Sequence, residues 1–216
     1  MSTVTWLILL TGMCMLAASG AGGRFPDPAI DEPRAPRTTL KKAVFAGGCF
    51  WCTEAVFRLV HGVVKVVSGY SGGTRETANY EAVSTGKTGH AEAIEITYDA
   101  SKITYGALLR IFFEIAHDPT QLNRQGPDVG SQYRSAIFAI TPEQKDIAVA
   151  YIQQLDAAQV FPRKIVTEVN AFQAFYEAES YHQNYCSRNP QNPYIRYNAL
   201  PKIEKLKKAR PEAVKK

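Results

Sequence analysis

Residues 43–57 read Ala-Val-Phe-Ala-Gly-Gly-Cys-Phe-Trp-Cys-Thr-Glu-Ala-Val-Phe. Ala43 to Ala46 form a short apolar strand, and Gly47-Gly48 stop it. From Phe50 to Val60 the apolar residues Cys52, Val56, Leu59 and Val60 recur at helical spacing. A strand running through a two-glycine turn into a helix opens a βα unit, and Cys49 lies on the junction. Outward from it, Val63 to Tyr70 is rich in β-branched residues and closes in Ser71-Gly72-Gly73, a strand and a turn. His90 to Tyr98 alternates, with His90, Glu92, Ile94, Ile96 and Tyr98 on one face and Ala91, Ala93, Glu95 and Thr97 on the other. Tyr105, Leu108, Leu109, Phe112 and Ala116 give a second helix. Ser135 to Ile140 is a further strand, and a helix over Pro142 to Ala158 starts at Thr141 as its N-cap. An edge strand over Ile165 to Val169 and a helix around Phe172 to Cys186 complete the expectation. The order β-α-β then β-α-β predicts an α/β (α+β) two-layer sandwich on a ferredoxin-like split βαβ core, interrupted by a long polar loop from Asp118 to Ser135.

The chain has 216 residues, 45% hydrophobic and 21% charged, enough to bury the core of one ordinary domain. That balance excludes a disordered chain, a collagen-like repeat and a disulfide-dense mini-scaffold. The net charge of +5 is local: from Lys202 to Lys216 seven Lys and Arg face two Glu, so residues 1–201 sum to zero. A basic field for nucleic acid is not expected. Val4 to Ala18 is an uncharged apolar run, shorter than the roughly 20 residues of a membrane span, and small residues follow it up to Ala21. The sequence therefore divides into a secretory signal (1–21), a proline-rich linker (22–40), one folded domain (41–201) and a basic tail (202–216) read as a solvated appendage. Export, to a periplasmic location, is the expectation. A membrane anchor formed by an uncleaved N-terminus, or cytoplasmic residence, are the alternatives. Cleavage would remove Cys14 and leave Cys49, Cys52 and Cys186.

Cys49 stands where unpaired backbone N–H groups and the helix dipole favour negative charge, which predicts a stabilised thiolate. Cys49-Phe50-Trp51-Cys52 is a C-x-x-C pair, compatible with a disulfide across one helical turn or with a zinc site. Phe50 and Trp51 beside a thiol either bind something or fill the core. Glu92 shares a face with Ile94 and Ile96, where a desolvated carboxyl would keep its proton and suit a general acid; a structural ion pair is the other reading. In the polar loop, Asp128 and Tyr133 can supply an acceptor and a donor, and Tyr80 a second phenol.

Five segments carry a resemblance. GGCFWCTEAVF (47–57), GYSGG (69–73), NYEAVSTGKTGHAEAIEITYD (79–99), HDPTQLNRQGPDVGSQYRSAIF (117–138) and AESYHQNY (178–185) together resemble peptide methionine sulfoxide reductase A, in the family's order, over about residues 41 to 201. The resemblance implies that Cys49 attacks the sulfoxide sulfur and that Phe50 and Trp51 hold the substrate's ε-methyl group. It implies that Glu92 protonates the sulfoxide oxygen, that Tyr80 and Tyr133 hydrogen-bond it, and that Asp128 supports the same site. It also implies specificity for the S epimer, no bound cofactor or metal, a monomer, and oxidised proteins or peptides as substrates. Electrons would come from an external thioredoxin or thioredoxin-like reductant.

The pattern departs from the family at one place. After Asn189-Pro190-Gln191-Asn192-Pro193-Tyr194 stands Ile195, where many members carry a recycling cysteine. Cys52 is then the expected resolving thiol, with Cys186 as the alternative. Glu54 reads as a first-turn charge favourable to the helix dipole, and His182 and Tyr185 as support for the site. A thioredoxin-like disulfide oxidoreductase and a zinc module of Cys49, Cys52, Cys186 and His182 are the competing readings.

Overall fold

The computed structural model describes residues 25–216; the signal segment and Cys14 lie outside the described residues. A six-stranded sheet carries the fold. Its strands are β1 (Leu40–Gly47), β2 (Val63–Ser71), β3 (Ala91–Asp99), β6 (Ser135–Ala139), β7 (Glu168–Ala171) and β8 (Phe175–Glu177), in the order β7-β6-β1-β3-β2-β8. β3 lies between β1 and β2 and runs antiparallel to both, so β1, helix α1 (Phe50–Arg58) and β2 form a split βαβ unit. β6 adds antiparallel to β1, and β7 parallel to β6. Short helix α2 (Tyr80–Ser84) precedes β3. Helix α3 (Tyr105–Ile111) runs on through a wider turn, Phe112–Ala116, and α4 (Pro142–Ala157) follows β6. Thr141 caps α4 as expected, its hydroxyl accepting from Gln144 N at 3.2 Å.

The alternation of each strand decides the two faces of the sheet. Ala43 and Phe45, Ile94, Ile96 and Tyr98, and Ile137 pack with α1, α3 and α4 in one continuous core. Val44 and Ala46, Ala91 and Ala93, and Ala136 and Phe138 face the other way, covered by Phe172 and Phe175. The helices form one layer and the sheet the other, and Glu92 lies on the helix side.

Three stretches differ from expectation. Residues 172–186 form no single helix: β8 pairs with β2, a tight turn follows at Ser180–His182, and α5 is only Tyr185–Arg188. The free edge of β2 wins that stretch. Gly69 makes the pairing close, since a Cβ there would fall 2.3 Å from the Tyr176 carbonyl oxygen. Beyond β8 the Gln183 side chain finishes the ladder, accepting from Ser68 N and donating to Ser68 O, each at 2.9 Å. The edge strand expected at Ile165 to Val169 begins three residues later, at Glu168, where Arg134 Nε donates to the Glu168 carboxylate at 3.2 Å. The basic tail is anchored to the domain along one side while Lys205, Lys207, Lys208, Lys215 and Lys216 stay exposed. Helix α6 (Leu200–Ala209) buries Leu206, Arg210 Nε donates to Glu114 at 2.7 Å, and Val214 bridges to Val60.

The proline-rich segment also packs against the domain. Tyr151 donates to the Pro26 carbonyl at 2.6 Å, and Asp27 pairs with Arg110. Asp31 and Glu32 sit at the start of α3: Asp31 accepts from Gly106 N at 2.7 Å and Glu32 from Tyr105 N at 3.0 Å. Among the described residues no helix is long and apolar enough to cross a membrane.

Candidate active site

The site is built on the β1–α1 junction. Gly48 has φ +84°, and a Cβ there would fall 2.5 Å from the Gln125 side chain, so only glycine fits this turn. The turn brings Cys49 to the N-cap of α1, its carbonyl accepting from Cys52 N at 3.1 Å. Cys49 is 8% exposed. A thiolate stabilised by the helix terminus was the expectation, and the assembled site overturns it. Burial first, then the Cys52 side chain and the Glu92 carboxylate, push the Cys49 thiol well above its ordinary value. Cys49 therefore rests as a thiol.

Glu92 reaches the same helix terminus from β3. Its Oε2 accepts from the N–H of Phe50, the residue after Cys49, at 3.0 Å. The carboxyl is 3% exposed and has no cation within salt-bridge distance among the described residues. Burial outweighs the Phe50 hydrogen bond, and the charges of Asp128 and Cys52 add to it, so the Glu92 pKa is pushed up to about 8. A carboxyl buried against Cys49 therefore holds its proton at neutral pH, the requirement for a general acid.

The aromatic pair divides its work. Phe50 is fully buried, its ring 5.9 Å from Tyr70 and 5.0 Å from His182. Trp51 is half-buried: it stacks on Tyr185 at 3.8 Å with planes 9° apart, and its Nε1–H donates to His182 Nδ1 at 3.1 Å. Accepting there puts the His182 proton on Nε2, and burial keeps the ring neutral. Tyr80 packs 4.5 Å from His182, and its backbone N–H donates to Glu179 at 2.9 Å. Burial, then the Glu92 charge, raises the pKa of both Tyr80 and Tyr133, so both phenols stay protonated donors beside Cys49. Glu54 is the fifth residue of α1, not a first-turn charge. It is 1% exposed, and both its oxygens accept from Asn184 N, at 2.8 and 3.0 Å, fixing the left-handed turn into α5.

The polar loop closes the other side. Inside it, β4 (Arg124–Gln125) and β5 (Asp128–Val129) form a small hairpin, and a tight turn at Ser131–Tyr133 delivers Tyr133. Asp128 accepts from the Tyr194 hydroxyl at 2.5 Å, and burial raises its pKa against that hydrogen bond. A cavity of about 50 Å³ lies between the hairpin and α1, lined by both cysteines of the C-x-x-C pair, Asp128, Tyr194, Asn198 and Lys202 among others. Tyr194, Asn198 and Lys202 were not anticipated. Tyr194 had a visible signal, since it stands next to Ile195 in the segment where the family pattern breaks.

All three described cysteines are free and belong to one apolar cluster with Ile195 and Ala199. Ile195 is fully buried there. Its branched alkyl side chain packs in the same cluster as Cys49, Cys52 and Cys186. The zinc reading has little geometry behind it: His182 Nδ1 is taken by Trp51, and among the described residues no three His, Cys, Asp or Glu side chains are grouped to hold a metal.

Comparison with known proteins agrees with this arrangement. The family model for peptide methionine sulfoxide reductase matches residues 41–214. The peptide methionine sulfoxide reductase MsrA 2 of Synechocystis sp. is 58% identical over 184 residues, 84% of this chain and 86% of that protein. The MsrA 2 of Mesorhizobium japonicum is 56% identical, over 84% of this chain and 92% of its own. Among solved structures, reduced Mxr1 from Saccharomyces cerevisiae aligns with a TM-score of 0.64 at 34% identity, covering 74% of this chain and 91% of that one. Methionine sulfoxide reductase A of Corynebacterium diphtheriae aligns with a TM-score of 0.62 at 35% identity, covering 72% and 77%. The chain belongs to the peptide methionine sulfoxide reductase A family, oxidoreductases that reduce methionine sulfoxide in the repair of oxidative damage.

Proposed function

We propose that this enzyme reduces the S epimer of methionine sulfoxide, in proteins and peptides and as the free amino acid, with Cys49 as nucleophile and Glu92 as acid. The observation that carries the reading is the Glu92 carboxyl, buried, protonated to about pH 8, and hydrogen-bonded to the N–H that follows Cys49. As the Cys49 sulfur attacks, Glu92 gives its proton to the sulfoxide oxygen and is reprotonated from the thiol. The oxygen and one hydrogen end on Cys49 as a sulfenic acid, and methionine departs as a thioether. Tyr80 and Tyr133 donate to the same oxygen, and Asp128, with Tyr194, supports that side. Phe50 and Trp51 take the ε-methyl group. A methyl wall on one side and three oxygen donors on the other leave one handedness at sulfur.

Cys52 then attacks Cys49, expelling water and leaving a disulfide, which a dithiol of the thioredoxin fold reduces. Ile195 in the apolar cluster favours Cys52 for this role, since no thiol stands at that position. The monomer is the working unit. We read residues 1–21 as an export signal, which puts the reductant outside the cytosol. The test of the reaction is turnover of the two epimers of a blocked methionine sulfoxide. Consumption of the S epimer alone, abolished by Cys49→Ser, is expected; consumption of the R epimer, or activity surviving Cys49→Ser, overturns the assignment.

A further inference from the structure

We propose that Lys202 is the electrostatic partner of the Cys49–Cys52 pair, holding Cys52 as the thiolate that attacks oxidised Cys49. The inference rests on Cys52 being the resolving thiol. In the small cavity beneath the β4–β5 hairpin, Lys202 is the one cation among the lining residues, which include both Cys49 and Cys52, and its charge acts on Cys52. It makes no hydrogen bond or ion pair among the described residues, while Asp128 in the same cavity is engaged by the Tyr194 hydroxyl. An ammonium that no carboxylate neutralises directly, in a confined space with two thiols, stabilises whichever thiol ionises. α6 holds it there: Leu206 is fully buried one turn on, and Arg210 is tied to Glu114 at the helix end.

The two thiols are not equivalent. Cys52 is pushed below its ordinary value, chiefly by the hydrogen bond from Cys49 and further by Lys202, against its burial. Cys49 is pushed up. The other titratable groups lining the cavity are Asp128 from β5 and Tyr194 from the turn before α6; Glu92 on β3 acts on Cys49 from outside it. His117, from the start of the polar loop, is buried and neutral, its pKa pushed down to about 3 by burial first. Lys202 is therefore the one permanent positive charge lining the cavity among the described residues. In the resolving step the Cys52 thiolate attacks the Cys49 sulfur, an S–S bond forms and the S–OH bond breaks. The departing hydroxide takes a proton from a facing acid, Asp128 or water, and leaves as water. Cys52 is oxidised from thiolate to disulfide, and Cys49 is reduced from sulfenic acid to the same level.

The experiment mixes full-length wild type, Lys202→Met and Lys202→Arg with methionine S-sulfoxide in the absence of reductant. It follows methionine release and loss of free thiols separately across pH, and maps the linked peptide by mass. In Lys202→Met, thiol loss at pH 7 is expected to slow about tenfold, with its pH midpoint raised about one unit, the two being the same free energy. Methionine release should slow far less, and Lys202→Arg should restore both rate and midpoint. Lys202→Gln carries the same expectation should Lys202→Met fail to fold, and a misfolded variant would betray itself by losing methionine release as well. Unchanged rate and midpoint in a Lys202→Met protein that still forms the Cys49–Cys52 link overturn the role of Lys202 alone. A Cys49–Cys186 link, or none, in wild type overturns the Cys52 reading and this inference with it.

Discussion

Two helices of this protein begin the same way and do different things. At the start of α1, Glu92 accepts from Phe50 N at 3.0 Å; at the start of α3, Glu32 accepts from Tyr105 N at 3.0 Å. Both carboxyls are almost fully buried, Glu92 at 3% and Glu32 at 5%. The difference lies in what else reaches them. Glu32 also accepts from the Tyr98 hydroxyl at 2.9 Å and from the Lys41 ammonium at 2.6 Å, so its partners are used up in stapling the N-terminal segment to the sheet. Glu92 has its one backbone donor, no cation, and a thiol for a neighbour. A buried carboxyl with a full set of partners is structure, and one denied them keeps a proton for chemistry.

The largest expected effect breaks that comparison from the Glu92 side. Glu92→Gln keeps an acceptor for Phe50 N and removes the acid, so turnover should fall by about a hundredfold to ten-thousandfold. In wild type the rate should decline as pH rises through about 8, where Glu92 loses its proton, and Glu92→Gln should lack that limb. Stability should move the other way. Between an unfolded pKa of about 4.3 and the folded value near 8, the native state binds the extra proton, so wild-type stability falls with rising pH across that window. The glutamine variant escapes this, gaining on the order of 4 kcal/mol over wild type at pH 8 and nothing below pH 4. Urea unfolding at the two pH values checks it, and equal stabilities at pH 8 would show that Glu92 ionises freely in the fold.

Glu32→Ala should do the reverse. It strands the Tyr98 hydroxyl and Tyr105 N–H in the interior at roughly 1–3 kcal/mol each, so a loss of about 3 kcal/mol is expected. Turnover per folded molecule should not change, because α3 starts at the end of the sheet remote from Cys49. A Glu32→Ala protein with normal stability and impaired turnover would erase the contrast between the two carboxyls.

How much of this could be read from the sequence follows from the range of the forces involved. The β1–α1 junction at Cys49 and the face of Glu92 are local facts, fixed by glycine spacing and a period of two, and the sheet and main helices followed from the same patterns. The helix expected over residues 172–186 was lost to a distant partner, the open edge of β2, with a glutamine side chain acting as its last rung. The ionisation of Cys49 was misjudged because the helix terminus is visible in sequence and the burial that outweighs it is not. Asp128 was marked by its loop, but its partner Tyr194 lies 66 residues away, and Lys202 sits in a tail whose charge looked idle. Those roles exist only once α6 is folded against the hairpin.

The smallest expected effect compares the tyrosines that attend the two carboxyls. Tyr98→Phe removes a hydrogen bond to Glu32 but leaves that carboxylate with Lys41 and Tyr105 N, so the cost should be about 1 kcal/mol with turnover intact. The Tyr133 hydroxyl has no hydrogen-bond partner among the described residues, so Tyr133→Phe should cost the fold little. It should instead lower turnover about tenfold, the equivalent of one hydrogen bond of about 1.4 kcal/mol made as charge develops on the sulfoxide oxygen. KM should change less than kcat, because the bond matters more in the transition state than in the bound sulfoxide. A Tyr133→Phe protein that lost stability and kept its rate would move Tyr133 to the structural side, leaving Glu92 and Tyr80 alone to bind the oxygen.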